Sequence, residues 1–381
     1  MHNYKYIMNL VFDDTNYNSN SIYNNDKQIK NYFTNYQYIH CFVFIDTFGN
    51  TKNAEQELLM RIKLYCKEYN VDFIKIDVNG IVCSDHILRG VHIQNIPDYH
   101  FITIISLHQN SKKISKHKTL LTCWNPVPFL ISNKISHVLS YDGYLSAYSP
   151  IIDNFIQSIN IYDKYVGHLC TSLPNCLLLP IEPLPESKTI FYIGSNWQNL
   201  ENKTKSIRNN TMELIKALDK EKITSIYGPR KYMNMVPWAG YKTYKGELPF
   251  DGKSVIMKVK ECGICLVLST VSHIRNEVCS MRIFEGIAAG VPIICDDNPF
   301  FRTWFGDNVW YVEGDTIEDQ NKSIQDHIVY INENEEYVMR KIKECREIFV
   351  RHFSFDVQFQ KLINRLHKEN IIKELKHYDN M

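Results

Sequence analysis

Two glutamates, Glu277 and Glu285, bracket the start of a short helical pattern and are the residues of this chain best suited to do chemistry. Between residues 276 and 297 the sequence reads as loop, helix, tight turn and strand. Ser280 is a residue type that caps helix N-termini, Ile283, Ile287 and Ala288 recur at helical spacing, and Gly290 supplies a stop. Residues 291–295 then form an apolar run that suits a buried strand. At the rise of an α-helix the two carboxylates stand roughly 12 Å apart along the axis. A pair that flanks one glycosidic bond sits closer, at about 5 to 9.5 Å. The spacing therefore suits the two ends of an elongated ligand. Backbone N–H groups around Ser280, Met281 and Arg282 offer a place for an anion between them, which is the layout of a sugar nucleotide: sugar, diphosphate, ribose. The same residue types also occur as surface carboxylates on a purely structural helix of a doubly wound fold.

Other candidates are more scattered. Gly194 follows a strand-like run and precedes a helical pattern, where a glycine either lets backbone approach a phosphate or simply turns the chain. Lys203, Lys205 and Arg208 follow it, and Arg275 and Arg282 flank the helix start; cations there could meet a diphosphate or face solvent. The stem of Arg282 could equally cover the helix surface. His108 lies just beyond a strand, at the edge where doubly wound sheets bind ligands, although any of 14 histidines could reach such a place by chance. Trp124-Asn125-Pro126 and Tyr141-Asp142-Gly143-Tyr144 follow later strand-like runs and could stack on sugar faces. Asp13-Asp14 and Asp296-Asp297 are not metal sites on this reading, because neighbouring carboxylates on a strand point apart. Cys262 and Cys265 form a Cys-x-x-Cys on an apolar, strand-like run rather than at a helix start, which argues against a redox or metal role.

The elements that must position these groups alternate between strand and helix, so the class is α/β with parallel sheets. Strand-like runs fall at residues 39–45, 71–76, 101–107, 120–123 and 137–141, with Leu58, Ile62, Tyr65 and Tyr69 on one helical stripe. Residues 15–35 are Asn-rich and read as a loop. Three prolines between residues 177 and 186 mark a linker. The second series holds strands at 189–193, 223–227, 263–268, 291–295 and 308–312, and a final helix carries Phe359, Leu362, Ile363 and Leu366 on one face behind Ser354. A length of 381 residues is enough for two domains with separate cores. The formal net charge of +1 gives no bulk electrostatic case for nucleic acid as a partner. Eleven cysteines without a disulfide pattern read as reduced core residues of a cytoplasmic protein. No stretch is apolar and long enough to span a membrane, which leaves peripheral contact open.

Glu277-x7-Glu285 followed by Gly-Ile-Ala-Ala-Gly-Val-Pro-Ile-Ile resembles the donor-site signature of group 1 glycosyltransferases of the GT-B fold. Arg208 and Ile226-Tyr227-Gly228 are similar to a more distant branch, the spore-maturation type, whereas Ser195 replaces the Arg that commonly follows the first glycine of group 1. The resemblance implies two Rossmann-like domains facing a central cleft: residues 1–180 binding acceptor, 186–350 binding nucleotide sugar, and a helix in 351–381 packing back on the first domain. It implies that Glu277 approaches the donor sugar, Glu285 holds the ribose hydroxyls and the helix start faces the diphosphate. Catalytic roles fall to Glu277 and His108, and donor binding to Glu285, Ser280, Met281, Arg282, Gly194, Arg208, Lys203 and Arg275. The expected partners are a nucleotide sugar and a glycan or glycolipid acceptor, without nucleic acid, and with retention of anomeric configuration. No cofactor and no metal are expected. A non-catalytic nucleotide-sugar or glycan binding protein of the same fold is the alternative, while an NAD-dependent oxidoreductase would need a Gly-x-Gly-x-x-Gly that the chain lacks.

Overall fold

The computed structural model describes residues 27–32, 40–49, 53–96, 102–131, 135–159, 164–196, 209–231 and 235–378. Its strands make two six-stranded sheets. The first contains β1 (Cys41–Ile45), β2 (Asp72–Ile76), β3 (Ile102–Ser106), β4 (Thr119–Cys123), β5 (Gly143–Ser146) and β6 (Tyr165–His168) in the order β2-β1-β3-β4-β5-β6. The second contains β7 (Thr189–Ile193), β8 (Thr224–Tyr227), β9 (Tyr244–Gly246), β10 (Gly263–Val267), β11 (Ile293–Cys295) and β12 (Trp310–Tyr311) in the order β12-β11-β10-β7-β8-β9. Every pairing is parallel. Helices cover both faces, so the central strands are apolar throughout, as in the fully buried Cys-Phe-Val-Phe-Ile of β1.

Strand order reverses between β1 and β3 in the first sheet and between β7 and β10 in the second. At such a point the two crossover connections leave in opposite directions and open a crevice beyond the carboxyl ends of the strands. Each sheet thus offers one: after Ile45 and Ser106, and after Ile193 and Val267. The two edges face each other, because Val127, just after β4, donates its N–H to Asn276 Oδ1 at 3.0 Å, and Ser149, just after β5, donates its hydroxyl to Asn276 O at 2.6 Å.

Helix α1 (Ala54–Glu68) begins at Asn53, whose side chain accepts from Gln56 N at 3.1 Å, and buries Leu58, Ile62 and Tyr65. Tyr69 lies outside that helix and is exposed. Helix α2 (Pro150–Ser158) is capped by Ser149. The second domain adds α3 (Asn209–Lys220), α4 (Ser254–Cys262), α5 (Val271–Arg275) and α6 (Met281–Ala289). Cys262 is the last residue of α4 and not part of the strand, because Gly263 takes a left-handed conformation that ends the helix before β10. Residues 137–141 are likewise not a strand: Ile135–Leu139 is a helical turn that buries Val138, and the neighbouring strand is β5. A five-residue apolar run carries too little periodicity to separate the two. Of the Asn-rich stretch, residues 27–32 are helical and residues 15–26 and 33–35 lie outside the described residues.

Between β6 and β7 the chain is extended apart from a short 3-10 turn at Asn175–Leu177, and carries Pro180, Pro183 and Pro185. The last two helices are α7 (Glu335–His352) and α8 (Phe355–Tyr378). Helix α8 crosses back to the first sheet: Phe359 lies 5.2 Å from Phe42 and 4.8 Å from Tyr65, and Gln358 accepts from Cys170 N at 2.8 Å. One cluster of buried side chains runs from Phe42 and Tyr65 through Phe359 to Phe284 and Phe349, joining both domains.

Candidate active site

The second crevice is built around α6. Ser280 accepts from Arg282 N at 3.4 Å, and Gly290, at φ 70°, closes the C-terminus. Gly286 is required by packing, since a Cβ there would come within 2.9 Å of Ile293 Cγ1 and 3.0 Å of Cys265 Cβ. The helix therefore presses its second turn onto β10 and β11 and aims its first turn at the crevice. Met281 sits partly buried in that first turn. Arg282 donates Nε to Ile193 O at 3.2 Å and Nη1 to Glu285 Oε2 at 3.0 Å, so its guanidinium bridges the end of β7, beside Gly194, to the helix. It does more than cover the surface with its stem.

Glu277 lies in the loop between α5 and α6 with φ 53°, a left-handed conformation that costs a non-glycine residue about 1–2 kcal/mol. Its neighbours hold it there. Asn276 is clasped by Val127 and Ser149 as above, and Val278, 2% exposed, packs into a first-domain cluster with Leu121, Leu130, Tyr144 and Phe155. Backbone strain maintained by surrounding contacts is characteristic of functional positions. The Glu277 side chain itself is half-buried.

Glu285 is fully buried and occupied. Arg61 of α1 donates Nη2 to Glu285 Oε1 at 2.7 Å and to Glu57 Oε1 at 2.9 Å, and Nε to Gly252 O at 3.1 Å. Glu57 in turn accepts from Gly252 N at 3.0 Å. Glu57, Arg61, Glu285 and Arg282 form a ladder of alternating charge across the two domains. Burial pushes the Glu285 carboxyl up, but Arg282 and Arg61 outweigh it and hold the group below its ordinary range. Glu57 ends above its ordinary value, because burial outweighs Arg61 and the Gly252 N–H. The open carboxylate implied by the resemblance is thus an ion-paired one in this conformation, sealed by a residue of the other domain.

The remaining donor-site candidates separate. Arg275 is exposed at the end of α5, while Lys203 and Arg208 lie outside the described residues. Asp296 and Asp297 point apart: Asp296 accepts from Ser269 N, and Asp297 pairs with Arg302 at 2.6 Å. Burial raises the Asp296 carboxyl to about 7. Among the described residues no three His, Cys, Asp or Glu side chains gather where a metal ion could sit. All eleven cysteines are free, Cys262 and Cys265 included.

At the first crevice, His108 packs edge-on to Phe48 with ring centroids 4.9 Å apart. Its Nδ1 accepts from Asn110 N at 3.1 Å, which assigns the proton of the neutral ring to Nε2. Burial lowers its pKa to about 4. Glu55, in the first turn of α1, is 9% exposed; burial and then the charge of Asp46 raise its carboxyl to about 8, against opposing contacts from Thr47. Asp46 is paired with Lys75 at 2.8 Å. Trp124 is buried, with Nε1 donating to Leu169 O at 2.5 Å, and Asn125 donates to Gln109 at 2.9 Å. Tyr141 and Tyr144 do not line the cleft: both are fully buried and donate to Ser111 O and Val138 O, at the start of β5 rather than beyond its end.

Sequence reasoning missed Arg61, Glu57, Glu55, Asn276 and Ser149. Glu57 and Arg61 carry only an i,i+4 spacing, the signature of a solvated helix face, and nothing local distinguishes them.

Comparison with known proteins adds three findings. Residues 203–364 match the family model described as "Glycosyl transferase-like". Among curated proteins no sequence match was found. Solved structures share the architecture at low identity. An alpha-glucosyltransferase in complex with UDP and a 13-mer DNA containing a HMU base matches at TM-score 0.56 and 9% identity, covering 86% of this chain and 99% of that one. Sucrose-phosphate synthase from Thermosynechococcus elongatus matches at 0.54 and 10%, covering 89% and 100%. HepE from Anabaena, in complex with UDP-glucose, matches at 0.54 and 11%, covering 86% and 99%. No helix of the described residues is long and apolar enough to cross a membrane. Two facing parallel sheets and a returning C-terminal helix give this chain the GT-B fold of these structures, and its residues 203–364 are glycosyl transferase-like.

Proposed function

We propose that the protein transfers a sugar from a nucleoside-diphosphate sugar to a hydroxyl of a glycan or glycolipid, with retention at the anomeric carbon. The observation that supports this most is the second crevice, where Gly194, the start of α6, Arg282 and the strained Glu277 loop meet at the reversal of strand order and face the first domain. Glu277 meets the donor sugar. Glu285 meets the ribose: an ionised carboxylate offers about four acceptor sites, of which Arg61 and Arg282 occupy one on each oxygen. The amides at Ser280 and Met281, with Arg282, Arg208, Lys203 and Arg275, balance the diphosphate without a metal ion.

In the reaction the bond from the anomeric carbon to the diphosphate oxygen breaks, the acceptor oxygen bonds to the same face, and the acceptor proton passes to the departing diphosphate. The first crevice fits this scheme because His108, neutral with its proton on Nε2, donates a hydrogen bond to a substrate hydroxyl rather than removing a proton. A cytoplasmic site of action, with peripheral membrane contact when the acceptor is a glycolipid, belongs to the same proposal and accords with eleven free cysteines. Nucleic acid is not the proposed acceptor, since the formal net charge is only +1.

A panel of nucleotide sugars screened by thermal shift identifies the donor, and product formation with glycan and glycolipid acceptors tests transfer. Calorimetry with UDP then separates the two glutamates. Glu285→Gln is expected to weaken UDP binding about tenfold or more, because a charge-assisted hydrogen bond contributes about 1.5 to 3 kcal/mol. Glu277→Gln is expected to lower turnover about 10²-fold or more while UDP still binds. Equal losses of UDP affinity in both variants would contradict the assignment, and donor binding without product on any acceptor would identify a binding protein.

A further inference from the structure

We infer that Arg61, contributed by the first domain, is a positioning residue for the donor-site carboxylate Glu285. The inference rests on the reading of Glu285 as a nucleotide contact and goes beyond it, since that reading draws all donor-binding groups from the second domain.

The geometry is specific. Arg61 is fully buried in the middle of α1, where a guanidinium is costly unless its charge is paired; Nε and Nη2 have partners, while Nη1 is buried without one. Nε is fixed by Gly252 O at 3.1 Å, and Nη2 is shared between Glu57 at 2.9 Å and Glu285 at 2.7 Å. The backbone of residue 252 is itself tied to Glu57 through its N–H at 3.0 Å. The fork is therefore anchored on both domains and presents one edge to Glu285, while Arg282, anchored on Ile193 O, holds the other oxygen. With one oxygen held from each side, the carboxylate plane is fixed. A lysine is a point charge and has no planar fork with which to reach the Gly252 carbonyl and both carboxylates at once. The position is therefore sensitive to the shape of the cation as well as to its charge.

The test compares Arg61→Lys, Glu57→Gln and Glu285→Gln with the unsubstituted full-length protein, by calorimetry with UDP at a temperature well below every melting transition, together with donor and acceptor KM. Arg61→Lys is expected to weaken UDP binding and raise donor KM about tenfold, with acceptor KM unchanged. Glu57→Gln, a neutral isostere that loosens Arg61 without removing charge from Glu285, is expected to act in the same direction by about threefold and stands in if the lysine variant does not fold. Variants that melt earlier yet bind UDP as the parent does would overturn the inference and leave the ladder a purely structural tie. If Glu285→Gln also binds UDP normally, the donor-site reading fails first and the positioning role falls with it.

Discussion

The two crevices share a topology and differ in how they treat charge. At the end of the first sheet, the buried Glu55 and the half-buried His108 have no counter-ion among the described residues, and desolvation drives both to their neutral forms, with pKa values of about 8 and about 4. At the end of the second sheet, Glu285 is fully buried and Arg282 half-buried, yet each keeps the other ionised, and Arg61 reinforces the pair. Burial alone removes charge, whereas burial with a partner at hydrogen-bond distance preserves it. On the proposed function, the contrast suits neutral acceptor hydroxyls on one side and a diphosphate anion on the other.

The sharpest way to break the contrast is to remove a cation from the charged side. Arg61→Met leaves Glu57 and Glu285 buried without their shared partner and is expected to destabilise the fold by about 3–5 kcal/mol, read by denaturant unfolding. A loss below about 1 kcal/mol would mean that water enters the domain interface and that the ladder is not sealed.

On the uncharged side the corresponding change depends on pH. The Glu55 carboxyl is raised from 4.5 to about 8, so the stability it confers is complete below pH 4.5 and is lost as pH rises through 8. Glu55→Gln keeps the shape and removes the titration. Its melting temperature is expected to match the parent near pH 4 and to exceed it near pH 9, by an amount corresponding to at most about 5 kcal/mol. A constant offset across that range would show that Glu55 is already ionised in the fold.

The smallest expected effect sharpens the comparison from the ligand side. If the start of α6 and its arginines balance the diphosphate, transfer in excess chelator proceeds within about twofold of the untreated rate. Abolition by chelator with recovery on added manganese would move the charge balance to an ion and reopen Asp296 and Asp297 as its holders.

Local sequence determined the parts whose signals are local. Ser280, the 3.6-residue recurrence of Ile283 and Ile287, and Gly290 specify α6 nearly to the residue, because capping and periodicity act within one or two turns. Apolar runs marked most of the strands, and the spacing of Glu277 and Glu285 around the helix start was visible before any fold. It was not visible that Glu285 pairs with a residue 224 positions away, or that Val278 is a core residue of the other domain. Nor did the sequence show that Asn276 is clasped by Val127 and Ser149, so that Glu277 is held in a left-handed turn. Protonation was equally hidden: Glu55 and Glu285 are the same residue type, and only the tertiary arrangement of cations around one and not the other sets them on opposite sides of neutrality. Residue type and spacing act over a few ångströms along the chain, whereas desolvation and ion pairing depend on which distant segments the fold brings into contact.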